Sequence, residues 1–225
     1  MSVAEQVRRA ALEAVGRLEL LAVEAAATAL AGRVGSGGLL YVLGTGHSQL
    51  LALEGYYRAG GPAWVAPVVD LELSPAQGAS ARASERAVGA GRRLVAEIRA
   101  ENALLVVSNS GRNAVPVEAA ESAAEAGLLT LAITSCSTDN RLAAVVDHVL
   151  DTAVPPGDAA IEVGEKGARM APLSTIVGAV VLHALLAQTE AALGAAHVLV
   201  SNNVPGGHER NASLIARYPH LRPLR

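Results

Sequence analysis

Two short segments hold the densest chemistry in this chain. Gly44-Thr45-Gly46-His47-Ser48 leads into a helical stretch, so its free backbone N–H groups and the helix start favour an anion such as phosphate. Ser108-Asn109-Ser110-Gly111-Arg112-Asn113 supplies hydroxyls at Ser108 and Ser110 and an amide at Asn113, neutral donors spaced to converge on one tetrahedral oxyanion. The first loop is followed by no Gly-Lys-Ser/Thr ending and lacks a third glycine at the dinucleotide-binding spacing, so neither ATP nor NAD is expected. The plainer role for such serines and asparagines is to cap helices.

The elements that must position these loops follow from the apolar pattern. Val3 to Ala31 repeats apolar residues at three and four and predicts one long N-terminal helix. After the Gly32 to Gly38 break, Leu39 to Leu43 reads as a strand buried on both faces, running into the first loop and a helix over Gln49 to Arg58. Ala63 to Val69 is the next strand, Ser74 to Ala83 a loop and Ser84 to Ala100 a helix. Leu104 to Val107 then repeats the first event, a strand ending in the second loop, followed by a helix containing Val117 to Ala126. Leu128 to Thr134 and His148 to Ala153 complete about five strands. The alternation predicts a three-layer αβα sandwich with a mostly five-stranded parallel sheet, preceded by an N-terminal helix. In such sheets ligands bind outside the carboxyl ends of the strands, where both loops fall.

Length and composition agree with one domain over 1–225: a helix and link (1–38), an αβα core (39–200) and a polar C-terminal segment (201–225) that wraps a surface. A hydrophobic content of 51% with 17% charged residues excludes disorder, and a net charge of −3 without basic runs argues against nucleic-acid partners. Ala171 to Thr189 carries no acidic or basic side chain. Its Pro172, Ser174, Thr175, His183 and Gln188 favour an enclosed central helix over a membrane span. Glu5, Arg8, Arg9, Glu13, Arg17 and Glu19 near the start leave no room for a secretory signal, so a cytoplasmic location is expected. The lone Cys136 has no histidine partner nearby in the chain and is expected as a small buried residue; scattered histidines predict no metal. Apolar faces on the N-terminal helix and around Gly178 to Ala187 predict a homodimer or higher homo-oligomer.

The paired loops, GTGHS and SNSGRN, resemble those of the SIS (sugar isomerase) phosphosugar-binding family over most of Leu39 to Ala192. The resemblance implies that Ser48, Ser108, Ser110 and Asn113 hold a substrate phosphate, with asparagine replacing the usual last hydroxyl. It implies sugar contacts from Gly44, Thr45, Gly46, His47, Asn109 and Gly111. A finer similarity points to the branch near N-acetylmuramic acid 6-phosphate etherases and N-acetylglucosamine 6-phosphate dehydratases. Glu54 lies in the helix after the first loop, Glu85 follows at a similar spacing, and EKGARMAPLSTIVGA and NNVPGGHERN look like segments of bacterial stand-alone SIS proteins.

What that branch implies is a carbon–oxygen lyase working without cofactor on a small phosphosugar. Ring opening of a 2-acetamido sugar phosphate makes its C2 proton acidic; Glu85 would remove it and a protonated Glu54 would assist the group leaving C3. Loss of hydroxide is dehydration of N-acetylglucosamine 6-phosphate, loss of lactate is ether cleavage, and proton return at C1 is aldose–ketose isomerisation. A non-catalytic phosphosugar sensor is the alternative from another class. Glu72 is a substitute for Glu85 as the base. Lys166, the single lysine, would stabilise enediolate or phosphate charge, and His208, beside Glu209, would reach its own or a neighbouring subunit's site.

Overall fold

The computed structural model describes residues 1–137, 139–164 and 167–222. Two helices, α1 (Val3–Gly16) and α2 (Leu20–Gly35), precede β1 (Leu40–Gly44) and α3 (Gln49–Glu54). There follow β2 (Val65–Val68), the short helices α4 (Ala81–Ser84) and α5 (Ala90–Val95), β3 (Ala103–Val107), α6 (Ala114–Glu125), β4 (Leu129–Thr134) and β5 (His148–Asp151). A hairpin of β6 (Ala159–Val163) and β7 (Ala168–Pro172) leads into α7 (Ser174–Ala192) and α8 (Gly207–Arg217).

Five strands form one parallel sheet in the order β2-β1-β3-β4-β5, as the sequence predicts. Period-two alternation sorts each strand's side chains between two cores. Ala103, Leu105 and Val107 of β3 face α2, α3 and α7, while Leu104 and Val106 face α5 and α6. The strand order reverses between β1 and β3, and at their carboxyl ends begin the GTGHS and SNSGRN loops. The crevice of a doubly wound sheet opens at that reversal.

Several boundaries differ from the sequence reading. The N-terminal helix is two helices, because its halves bury against different surfaces. Ala14 of α1 packs with Val154, Leu173 and Val177, whereas Val23, Ala26, Ala27, Leu30 and Val34 of α2 join the main core, and one straight rod cannot meet both. The helix expected over Ser84 to Ala100 is only Ala90–Val95. The helix expected from Ala171 begins at Ser174, after an antiparallel hairpin that the sequence reading missed. Helix α7 buries Val177, Gly178, Val181, Leu182, Leu185 and Leu186, and at its far end Glu190, whose carboxylate accepts from Trp64 Nε1 (2.7 Å) and from His197 N (2.7 Å). The C-terminal segment contains α8 and places Leu214, Tyr218 and Leu221 in the main core. Cys136, expected to be buried, is exposed, because it lies past the end of β4 in a turn whose backbone N–H donates to the exposed Asp151 Oδ1 (2.9 Å) rather than in the sheet.

Candidate functional site

The first loop is shaped by close approach. A side chain at Gly44 would lie 2.3 Å from Ser48 O, so the chain doubles back under β1 only because position 44 has none. Gly46 adopts φ +55, and a Cβ there would stand 2.5 Å from Glu85 Oε1. The loop closes through Ser48 N donating to Thr45 O (3.1 Å). His47 is exposed at its crest and Thr45 is buried beneath. Ser48 stands at the start of α3 but makes no side-chain cap bond there, which leaves its hydroxyl for the crevice.

The second loop rests on the turn after β4. Gly111 has φ +59, and Asn140 Oδ1 occupies the place a Cβ would take, 1.9 Å away. Asn140 Nδ2 bonds Thr134 Oγ1 (2.7 Å) and Ser135 O (2.9 Å), and Thr134 Oγ1 donates to Ser108 O (2.6 Å). Ser108 is buried, and its Oγ accepts from Gly111 N (3.3 Å). Ser110 and Arg112 border a small recess with Ser135 and Ser137. Asn113 begins α6 without capping it; its Nδ2 donates instead to Glu85 Oε2 (2.8 Å). The capping role considered for these residues is therefore not taken up by Ser48 or Asn113.

Glu85 is the hinge between the loops. One carboxylate oxygen lies against Gly46 and the other holds Asn113, while its carbonyl accepts from Val115 N (3.2 Å). It follows directly on α4, at the end of a run of short turns after β2 that opens where Asp70 caps the first turn through Glu72 N (2.9 Å) and takes Gln49 Nε2 on its carbonyl (3.0 Å). Glu72 itself is exposed.

Between the two loops a pocket is lined by Ser48, Asn109, Thr134 and Thr152, with Ser174 and Thr175 from the start of α7. Leu51, Val107 and Ile133 form its apolar floor. Asp158 aims α7 here: its carboxylate accepts from Leu173 N (2.9 Å), Ser174 N (2.7 Å) and the Ser174 hydroxyl. Asn109 Oδ1 is fully buried with no partner among the described residues, an acceptor that costs about 1–3 kcal/mol until a donor reaches it.

The structure does not bring every expected residue to this place. Glu54 ends α3, ion-paired with Arg58 and 3.1 Å from His183 Nε2. His183 lies nine residues along α7 from Ser174, about 13 Å at the helical rise. Burial, reinforced by the Arg58 guanidinium, lowers the His183 pKa and favours the neutral imidazole. His208 is exposed in the first turn of α8. Lys166 lies outside the described residues. Conversely, Thr134, Asn140, Thr152, Asp158, Ser174 and Thr175 belong to the site or support it although no motif in the sequence marks them. The signal available was the Ser174-Thr175 pair opening an otherwise apolar helix.

Comparison with known proteins defines the class. The chain matches the SIS domain model over residues 5–135 and belongs to that family. Within it, the chain is 40% identical over 199 residues to a UPF0309 protein of Brucella anthropi, covering 81% of this chain and 82% of that one. Among solved structures it is similar to a candidate phosphosugar isomerase involved in capsule formation from Bacteroides fragilis, with 22% identity, a TM-score of 0.63 and coverage of 91% and 97% of the two chains. It is similar also to the phosphoheptose isomerase GmhA of Neisseria gonorrhoeae (24% identity, TM-score 0.55, coverage 84% and 94%). A third is the Vibrio vulnificus NanR protein complexed with ManNAc-6P (11% identity, TM-score 0.55, coverage 95% and 67%). These structural likenesses establish a shared fold.

Proposed function

We propose that this protein binds an aldose phosphate between its two loops and moves a proton between the carbons next to the sugar carbonyl, as an aldose–ketose isomerase. The observation that carries the reading is the Glu85 carboxylate, set against Gly46 of one loop and bonded to Asn113 of the other. Ser48, Ser108 and Ser110, with Arg112 alongside, take the phosphate oxygens. Gly44, Thr45, Gly46, His47, Asn109 and Gly111 face the sugar. Glu85 removes the C2 proton of the open-chain sugar and returns it to C1, while the oxygens exchange their proton through the enediol.

Isomerisation needs one carboxylate at C2 and C1, whereas the elimination considered from sequence needs a separate acid at C3. Glu54 was expected in that role, and its pairing with Arg58 and His183 favours the reaction that does without it. A ligand carrying a hydroxyl also supplies the donor that Asn109 Oδ1 lacks. A second copy of the chain is proposed to cover the exposed Leu50 and Leu53 of α3 and Ile176 and Val180 of α7, the two helices that also contribute Leu51, Ser174 and Thr175 to the pocket.

The test is incubation in D2O with 2-hydroxyaldose phosphates and, in parallel, 2-acetamido sugar 6-phosphates. Deuterium entering C1 or C2 of a 2-hydroxyaldose phosphate, with a ketose phosphate formed, is expected. Glu85→Gln should lower exchange by about 100-fold or more while phosphosugar binding persists. An unsaturated product from an acetamido sugar would restore elimination, and binding without exchange would make the protein a sensor.

A further inference from the structure

We infer a second binding site, for a neutral polyhydroxyl compound such as an unphosphorylated sugar, in the groove between Tyr57-Arg58 and the Ser201-Asn202-Asn203 loop. The groove encloses about 360 Å³, within the range of small-molecule sites, and shares no lining residue with the pocket between the phosphate loops. Its lining is mostly hydroxyl and amide. The inference does not depend on the reaction proposed above.

Both walls are fixed before any ligand arrives. Asn211 of α8 is buried and devoted to the loop: its Oδ1 accepts from Val200 N (3.0 Å), and its Nδ2 donates to Val200 O (2.8 Å) and to Asn202 Oδ1 (2.8 Å). Ser201 Oγ accepts from Asn203 N (3.1 Å). At the loop's other end Leu199 exchanges backbone bonds with the turn after Arg58, through Gly60 N to Leu199 O (2.8 Å) and Leu199 N to Gly61 O (2.9 Å). The two walls are thus stapled together, and little ordering entropy remains to be lost on binding.

The chemistry of the walls selects the ligand. Exposed Asn203 carries both donor and acceptor atoms, and Asn202, with its Oδ1 engaged, carries donors, a mixture that suits hydroxyl groups. Arg58 is neutralised by Glu54, so the groove lacks the net positive charge that would favour a phosphate. Tyr57 is held at φ +42, a conformation non-glycine residues avoid, and its side chain stays 47% exposed. A flat, half-exposed phenol ring beside amides is a surface for the C–H face of a pyranose with the hydroxyls directed to the rim.

The experiment is a backbone-amide NMR titration of the full chain with glucose, N-acetylglucosamine and ribitol, and separately with inorganic phosphate. At least one neutral compound is expected to shift the amides of residues 57–58 and 201–203 while leaving residues 44–48 and 108–113 in place. Tyr57→Ala and Asn203→Ala, both at exposed positions, should each weaken that binding about five- to tenfold without altering the circular dichroism spectrum. Shifts confined to 44–48 and 108–113, or none at millimolar sugar, would overturn the site. So would a Tyr57→Ala protein that sediments as a smaller species than the native one, which would make the groove a contact between copies. Failure of the isomerase reading would show separately, as absent deuterium exchange with this titration unchanged.

Discussion

At the scale of single residues, the positions that matter most are those where a side chain has been exchanged for a contact. Gly111 and Asn140 share one volume, so Gly111→Ala meets both a clash and a positive φ. We expect it to cost about 3 kcal/mol or more in urea unfolding. His220 gives a pH prediction. Burial lowers its pKa below the ordinary 6.5, partly opposed by the Val65 and Ala63 carbonyls, so the unfolded chain takes up the proton first. Stability from this residue is complete above pH 6.5 and declines as pH falls below that value toward the folded-state pKa. The urea midpoint should therefore fall as pH is lowered from neutrality, and His220→Gln should flatten that slope.

At the scale of elements, α7 is aimed by one side chain. Asp158, itself at φ +61, satisfies two backbone N–H groups and the Ser174 hydroxyl. Asp158→Ala should cost about 1–2 kcal/mol in thermal or urea unfolding and weaken phosphosugar binding, because Ser174 and Thr175 lose their register over the pocket. The strands and both loops were legible in the sequence because continuous apolar runs such as Leu104–Val107 end abruptly in glycine and serine. What was not legible depended on distant partners. The break between α1 and α2 follows from two separate packing surfaces, and the β6–β7 hairpin has a mixed exposed pattern with no period-two signal. Asn113 matched a phosphate loop by its spacing, yet its amide is committed to Glu85, 28 residues away. Glu54 was placed near the first loop by proximity in sequence, while its side chain follows the helix to His183.

At the scale of the whole molecule, the sheet's order gathers loops from β1 and β3, turns from β4 and β5 and the start of α7 at one end. Helices α3 and α7, which each lend residues to the pocket at that end, also carry exposed apolar side chains, Leu50 and Leu53 on the first and Ile176 and Val180 on the second. Burying Leu53 against a second copy predicts that Leu53→Glu shifts the sedimentation coefficient toward a monomer, with unchanged helical content by circular dichroism.

The shared volume at positions 111 and 140 also constrains how descendants of this chain can diverge. A lineage cannot gain a methyl group at 111 until it has first surrendered the amide at 140, and that surrender strips Thr134 and Ser135 of their donor. The order of the two changes is set. A library randomising both codons together would reach such pairs without passing through the weakened single change at 140.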